Sequence, residues 1–229
     1  MIENLTNLDF EPFWISFKLA SVTTFVLFFI SLPLSWFLSQ TNSKIKPYIE
    51  SLVSLPIVLP PSVLGFYLLW GFSTSSPLGR YLQENLNIEL VFSFEGLVVA
   101  SCFYSLPFMV QPVQSGMESL NKNIIEASYL SGKGKITTLF RVVLPNIKPS
   151  LLSAVVITFA HTIGEFGVVL MVGGNIDGET KVASVAIYEM VETLDFANAH
   201  IYSGIMLIIS FIVLLFVYMF NHRQKKVML

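Results

Sequence analysis

Residues 19–38 read LASVTTFVLFFISLPLSWFL, a run of 20 positions that contains no charged side chain. A helix needs about 20 apolar residues to cross the ~30 Å hydrocarbon core of a bilayer, so this run predicts a membrane-spanning helix. The whole chain agrees, because 54% of its 229 residues are hydrophobic and only 12% are charged, against about 25% in a soluble domain. This composition excludes a disordered chain. The net charge of −2 without a basic stripe indicates no nucleic-acid partner.

Four more stretches have the length and composition of a span. The predicted fold class is therefore an all-α integral membrane protein, embedded in the lipid bilayer, with about five transmembrane helices. A further apolar segment at residues 182–194 is too short to cross and carries Glu189 and Glu192, so it predicts an external helix that is interfacial or re-entrant. The five spans are predicted near residues 14–38, 49–72, 94–117, 147–172 and 201–220.

Lys and Arg are distributed unevenly between the connecting loops. Cytoplasmic loops hold these residues in excess, and here they concentrate after the first, third and fifth spans. An odd number of spans then places the N-terminus outside and the C-terminus in the cytoplasm. The predicted organisation is an external segment at 1–12, a transmembrane domain at 13–220 and a cytoplasmic basic tail at 221–229.

The longest loop on the cytoplasmic side covers residues 118–146 and reads ESLNKNIIEASYLSGKGKITTLFRVVLPN. Its pattern predicts a short helix up to Leu130, an interruption by two glycines, and a second helix from about Ile136 to Val143 that ends before Pro145. Charge and length alone also fit an inert amphipathic linker at the headgroups. The GKGK run lacks the preceding glycine and the following Ser or Thr of a phosphate loop, so no nucleotide site is expected in this chain.

Several motifs have a fixed spacing that points to a family. In the loop, EAS at residues 126–128 is followed by a glycine six residues after the Glu, and then by VVLP at 142–145. This pattern resembles the EAA loop of ABC-importer permeases. LPIVLPPSVLGFY at 55–67, SLPFMV at 105–110 and GEFG at 164–167 resemble signatures of molybdate permeases. Permeases for sulfate and tungstate are similar in outline.

The resemblance implies a homodimeric membrane subunit of an ATP-driven importer that moves molybdate by alternating access, with tungstate or sulfate as alternative substrates. Two ABC ATPase subunits would bind ATP and Mg, so this chain would need no cofactor and no catalytic residue of its own. An external molybdate-binding protein would deliver the oxyanion. The loop would dock on the ATPase through small, closely packed residues, with a hinge at its proline. The coupling residues implied are Glu126, Ala127, Ser128, Gly132, Leu144 and Pro145.

Hydroxyls, glycines and prolines inside the spans are candidates for the passage. Three prolines at the start of the second span predict a kink in its cytoplasmic half that is part of a gate, or simply a bent entrance loop. The small residues fit a pathway and close helix packing equally well. The candidate pathway or gate residues are Pro60, Pro61, Ser62, Gly65, Thr158, Thr162, Gly164, Glu165 and Gly167.

Glu165 is an acidic residue deep in a predicted span, where a charge costs at least ~2.5–3.5 kcal/mol. Helical spacing would place it on one face with Thr158, His161 and Thr162. It could be a metal ligand beside His161, a proton site in a self-contained carrier, or a hydrogen-bonded structural residue near the subunit interface. Two ligands are too few for a metal, so no metal site is expected. The alternative functions are a proton-coupled carrier using Glu165 and a membrane enzyme using His161 with Glu165.

Overall fold

A computed structural model describes residues 9–227, and it describes side chains up to residue 219 with the exception of Val217. Most of the predicted external segment at 1–12, and the side chains of the predicted tail at 221–229, lie outside the described residues. Within the described part, every regular element is helical. The helices are α1 Glu11–Gln40, α2 Lys46–Val58, α3 Pro61–Phe72, α4 Pro77–Leu86, α5 Phe94–Glu118, α6 Lys122–Leu130, α7 Lys135–Thr138, α8 Leu144–Asn146, α9 Lys148–Ile163, α10 Gly167–Gly173, α11 Ala183–Glu192 and α12 Phe196–Val227.

Proline and serine determine where several of these helices begin. A proline in the first turn loses no hydrogen bond, because the N–H groups of that turn have no partner within the helix. Serine caps act differently, since the Ser76 and Ser93 hydroxyls accept the backbone N–H three residues later at 2.9 and 3.1 Å. First-turn prolines are Pro12, Pro47, Pro61, Pro77 and Pro149.

Three helical stretches are each long and apolar enough to cross a membrane: α1, α5 and Phe196–Phe216 of α12. Two bent pairs raise the number to as many as five, when each pair is taken as one span. One pair is α2 with α3, and the other is Lys135–Asn146 with α9. The predicted all-α membrane fold with about five spans is therefore confirmed.

The second span, predicted near residues 49–72 with an interruption by its prolines, consists of two helices. The axes of α2 and α3 differ by 111°. Pro60 and Pro61 cause the break, because a proline disfavours helical geometry in the residue before it; Leu59 has a ψ of 136° and Pro60 a ψ of 137°. Pro56 lies inside α2 without ending it. The predicted interruption by prolines is confirmed, and the break falls near the middle of the predicted stretch.

The fourth span, predicted as one helix near residues 147–172, is also interrupted. α9 ends at Ile163 and α10 begins at Gly167, so Glu165 lies in the break between them. The prediction that Glu165 shares a helix face with Thr158 and its polar neighbours on α9 is therefore wrong. α10 packs against α3 and α5, which brings the break of the fourth span towards the second.

Helices α1, α5 and α9 pack against one another in pairs and form the centre of the bundle. Small residues allow close approach of the backbones: a Cβ added at Gly116 of α5 would lie 2.6 Å from the Ser150 Cβ of α9. The Ser35 hydroxyl of α1 donates to the Val110 carbonyl of α5 at 3.2 Å. Apolar side chains fill the remaining space, among them Leu19, Leu27, Leu97, Met109, Val113 and Ala154.

The segment predicted at residues 182–194 forms α11, whose length of about 15 Å is too short to span a bilayer. One face of α11 is buried through Ala183, Val185 and Ala186. It packs against α12 and α1, and its first N–H, at Ala183, donates to the Ser16 hydroxyl of α1 at 2.8 Å. α11 is therefore fixed to the bundle at the end of the molecule where α1 begins.

Candidate functional site

The loop between α5 and α9 folds as two short helical segments, α6 and Lys135–Asn146. We call residues 122–146 the helical loop. Asn121 begins it by accepting the Asn123 N–H at 3.0 Å. Gly132 has a φ of +77°, a left-handed conformation that glycine adopts without steric cost, and it reverses the chain between the segments. The predicted helix–turn–helix is confirmed.

The second segment of the helical loop continues further than predicted. α7 passes through a π-helical turn at Leu139–Val143 into α8, so Pro145 lies within the segment and not beyond its end. The π turn directly precedes Pro145, whose missing N–H already interrupts regular α-helical bonding. The direction then changes by 80° at Ile147, the residue before α9. The hinge is thus Ile147, and its predicted position at Pro145 is wrong.

Buried contacts anchor the helical loop to the bundle. Ile125, Val143 and Ile147 belong to one apolar cluster with residues of α1, α5 and α9. Within the loop, the buried hydroxyls of Ser128 and Thr138 lie 2.8 Å apart and form a hydrogen bond between the two segments. Ser128 therefore packs inside the loop, which does not fit its predicted packing against a partner. These buried contacts also argue against the alternative that the loop is an inert amphipathic linker at the lipid headgroups.

The opposite side of the helical loop exposes large apolar side chains. Leu130 is 90% exposed, Ile136 74% and Phe140 60%. Several large apolar side chains exposed on one loop are typical of protein or membrane contacts. The other residues implied by the EAA resemblance lie nearby: Glu126, Ala127, Gly132 and Pro145 are exposed, and Leu144 is half-buried.

The two interrupted spans meet directly, because α3 packs on α10. A Cβ added at Gly167 would lie 2.7 Å from the Pro61 Cβ, and one added at Gly65 would lie 2.8 Å from the Met171 Cβ. Both glycines therefore sit at close contacts between α3 and α10. For these two residues the structure favours the packing interpretation over the pathway interpretation.

Hydroxyl groups join α5 to α9 next to this region. The Ser105 Oγ lies 2.9 Å from the Thr162 Oγ1 and 3.0 Å from the His161 Nδ1. The Thr162 hydroxyl also lies 2.9 Å from the Thr158 carbonyl, to which it can donate. Both threonines are buried, so packing is favoured for them as well. The remaining candidates for the pathway or gate are exposed in the described part of the chain; they are Pro60, Pro61, Ser62 and Gly164.

Glu165 is only 4% exposed, and neither carboxyl oxygen has a hydrogen-bond partner among the described residues. Its backbone carbonyl accepts the Ser184 hydroxyl of α11 at 2.5 Å. The Ser101 hydroxyl of α5 is likewise buried and without a hydrogen-bond partner among the described residues. Glu165 thus ties α11 to the break through its backbone, while the hydrogen bonds expected for its side chain are not formed among the described residues.

Polar side chains that sequence reasoning missed connect α2 to α5. The Lys46 Nζ lies 2.8 Å from the Glu118 Oε1 and 3.7 Å from the Glu50 Oε1. The Gln114 Nε2 donates to Glu50 at 2.5 Å and to Glu118 at 3.0 Å. We call this set the polar stripe; its members are Lys46, Glu50, Ser54, Gln111, Gln114 and Glu118.

The polar stripe continues into the apolar part of both helices. There the Gln111 Nε2 donates to the Ser54 Oγ at 3.0 Å. A spacing signal could have revealed the set, because its α2 members recur every four residues and its α5 members at intervals of three and four. Such spacing places each group on one helix face. The signal was weak because nothing in the sequence says that these two faces meet.

Residues 31–226 match the model of a protein family described as the binding-protein-dependent transport system inner membrane component. The chain belongs to this family. As a member of it, the chain is a multi-pass inner membrane protein and a transport subunit. The resemblance to ABC-importer permeases is thereby confirmed, and the helical loop carries its motif.

Relatives within this family differ in the substrate that their names give. The molybdenum transport system permease protein ModB of Azotobacter vinelandii is 43% identical over 214 residues, covering 93% of this chain and 95% of the relative. A probable sulfate transport system permease protein of Helicosporidium sp. subsp. Simulium jonesii is 32% identical over 203 residues, covering 89% and 75%.

A solved structure shares the fold. It is a bacterial alginate ABC transporter in complex with an alginate pentasaccharide-bound periplasmic protein. The TM-score is 0.79 at 16% identity, with 98% of this chain and 83% of the other covered. At this identity the likeness concerns the fold of the permease subunit alone.

Proposed function

We propose that this chain is the membrane-spanning subunit of an ATP-driven importer for molybdate. It works as a homodimer with two ABC ATPase subunits, which bind ATP and Mg, and with an external molybdate-binding protein. The observation that carries the substrate is the 43% identity, over nearly the whole of both chains, to the molybdenum permease of Azotobacter vinelandii. The helical loop faces the cytoplasm, so the N-terminus is outside.

The exposed apolar face of the helical loop is the docking surface for the ATPase. Leu130 and Ile136 project from the two segments on either side of the turn, and burying such side chains is worth about 1.5–3 kcal/mol each. Glu126 is exposed beside them and can pair with a basic residue of the partner. A surface of this kind explains why a loop anchored in the bundle also exposes large hydrophobic groups.

Movement of the docked ATPase reaches the spans through the buried contacts of the helical loop. The Ser128–Thr138 bond makes the two segments move together. The second segment passes through Ile147 into α9, and α9 is joined to α5 by the hydroxyls around Ser105. Closure of the two ATPases would then rotate α9 and α5 of each protomer and alternate the opening of the pathway.

The test is uptake by the assembled system in proteoliposomes that contain the permease, its ATPase and the external binding protein. We expect accumulation of labelled molybdate that requires ATP inside and the binding protein outside. An excess of unlabelled tungstate or sulfate tests these alternative substrates, because a competing substrate lowers the uptake of labelled molybdate. Uptake that proceeded without the ATPase would contradict the proposal. Uptake of sulfate in preference to molybdate would show that sulfate, and not molybdate, is the substrate.

A proton-coupled carrier is the second candidate, and the buried Glu165 carboxyl without a partner is the observation that favours it. Glu165→Gln keeps the shape of the side chain but cannot ionise. If ATP drives transport, we expect this variant to retain uptake with an unchanged dependence on ATP. The carrier would be favoured if Glu165→Gln lost all uptake and if a pH gradient drove transport by the parent.

A further inference from the structure

We propose that the polar stripe lines the water-filled pathway in the half of the membrane next to the helical loop. Within it, Ser54 and Gln111 would form a transient donor pair for the passing tetrahedral oxyanion. This inference rests on the proposed function for the identity of the ion, but the position of the pathway can be tested separately.

The location of Ser54 and Gln111 makes contact with lipid unfavourable. Gln111 lies seven residues before the end of α5 and Ser54 eight residues after the start of α2, so both lie about 10–12 Å from those helix ends. Gln111 is exposed on the protomer and Ser54 is half-exposed. Polar groups exposed at membrane depth are tolerated where they meet water or protein, but not hydrocarbon.

A groove between α2 and α5 gives these side chains a common surface. Val53 and Ser115 line it together with most of the polar stripe. Glu118 also lines a neighbouring cavity, which reaches Lys122 and Glu126 of the helical loop. The groove and this cavity share Glu118 and together extend from Ser54 and Gln111 to Glu126 of the helical loop, the direction that an ion leaving for the cytoplasm would take.

Ser54 and Gln111 are neutral members of the stripe that can still donate. Gln114 gives its amide hydrogens to the two carboxylates. Gln111 uses one N–H on the Ser54 oxygen, which leaves its second N–H and the Ser54 O–H without an acceptor among the described residues. A tetrahedral oxyanion accepts hydrogen bonds only, so a neutral pair of this kind matches it in chemistry.

The charged members of the stripe keep such binding weak. Lys46 lies between Glu50 and Glu118, so these three side chains carry a net charge of −1 close to the donor pair. A dianion is repelled by this charge and does not remain at the pair. Weak and brief contacts with the ion suit a passage in which an external protein provides selectivity.

The experiment uses single-cysteine permeases in the assembled transporter, on a background in which Cys102, the chain's one cysteine, is replaced by alanine. Ser54→Cys and Ser115→Cys are conservative reporters within the groove. Leu52→Cys is the matched control, because Leu52 is 70% exposed on α2 but is turned by about 200° from Ser54. The probe is 2-sulfonatoethyl methanethiosulfonate, a membrane-impermeant anion, and the mass shift of the chain gives the rate.

We expect both groove cysteines to react at least tenfold faster than Leu52→Cys, with ATPase co-purification as the check of assembly. Gln111→Leu should lower molybdate uptake several-fold, and Gln111→Asn should retain more of it. Groove cysteines as slow as the control would overturn the inference, even if the parent imports molybdate. If the groove cysteines react quickly but the parent does not import molybdate, the proposed substrate is overturned. The inference that the polar stripe lines the pathway then still holds.

Discussion

The two ends of α9 are built in opposite ways. At its start, the helical loop has buried hydroxyls in a satisfied hydrogen bond and exposes large apolar side chains to the surroundings. At its other end, the break at residues 164–166 holds a buried carboxyl without a partner, and close glycine contacts surround it. One end thus combines a paired buried polar group with exposed apolar side chains, and the other combines an unpaired buried carboxyl with close backbone packing.

This difference indicates a division of labour along one helix. The start of α9 has surplus apolar surface, which can stabilise a contact with another protein. The far end is already closely packed and depends on internal fit, so it should affect folding before it affects partners. Substitutions in the helical loop should therefore act mainly on coupling, and substitutions around the break should act mainly on stability.

The largest effect on transport is expected from Gly132→Ser in the helical loop. Its φ of +77° is unfavourable for a residue with a Cβ, so the turn between the two segments should change direction. We expect ATP-driven uptake to fall by roughly tenfold or more, because strain of about 1–3 kcal/mol displaces the docking surface. Initial rates of uptake in proteoliposomes measure this.

Gly134→Ser is the matched control for that substitution. Gly134 also has open space around it, but its φ is −72° and it caps α7, a position that serine favours. Uptake by this variant should stay close to the parent. Equal losses in both variants would show that the left-handed turn is not what matters.

The largest effect on stability is expected at Gly65, in the contact between the interrupted spans. Gly65→Val would place its Cβ 2.8 Å from the Met171 Cβ, and such overpacking typically costs about 1–3 kcal/mol. Gly71→Val on the same helix has nothing within 4 Å, so it controls for the change in helix propensity. Thermal unfolding in detergent should show a lower Tm for the first variant than for the second.

A smaller effect on coupling is expected from Ser128→Ala. It removes the bond to Thr138 and leaves that buried hydroxyl unpaired, at a cost of about 1–3 kcal/mol in the loop. Ser131→Ala removes only an exposed bond to Ala127 of the same helix. ATPase activity and uptake measured together should show a lower number of molybdate ions per ATP for Ser128→Ala alone.

The smallest effect is expected at Lys181, which joins the segment before α11 to α11 itself through an ion pair with Glu189. Its Nζ lies 2.9 Å from Asp177 and also pairs with Glu189. Burial lowers the pKa of Lys181, but the hydrogen bonds to Glu189 and Asp177 outweigh it and raise the pKa above its usual 10.5. The pairing therefore contributes stability below about pH 10.5, and that contribution is lost as the pH rises through the higher folded-state pKa.

Lys181→Met should accordingly lower stability by no more than about 1 kcal/mol near neutral pH. The difference from the parent should shrink above pH 10.5, and unfolding midpoints at several pH values would detect it. Glu179→Gln, a change of an exposed charge in the same loop, should leave the midpoint unchanged. A pH-independent loss in Lys181→Met would assign the effect to packing of its side chain instead.

The comparison also explains which parts of the molecule were predictable from sequence. The helical loop was predictable because its signals are local: the turn at Gly132 and the spacing up to Pro145 depend on residues close in the chain. The break at Glu165 was not predictable, since α9 ends at Ile163 and its cap Gly164 without any proline, within a stretch whose composition fits one continuous span. There, contacts with α3 and α11 from distant parts of the chain decide the geometry.

The same limit applies to individual candidate residues. Thr158 and Gly65 were correctly predicted to be small residues inside spans. The sequence could not decide whether they face a passage or a neighbouring helix. The polar stripe was missed because Gln111 and Ser54 are 57 residues apart. Interactions across such a distance depend on which helix faces meet, and a single sequence does not contain that information.

The contact between α3 and α10 has a consequence for how the protein is made. The two helices are about 100 residues apart in the chain. At the usual 5–20 residues per second of synthesis, α3 waits roughly 5–20 s in the membrane before α10 emerges. During that time α5 becomes available to pack against α2, but α3 still lacks α10, the helix with which it packs most extensively. The contact that holds α3 at its angle to α2 is therefore completed only when the last third of the chain is being translated.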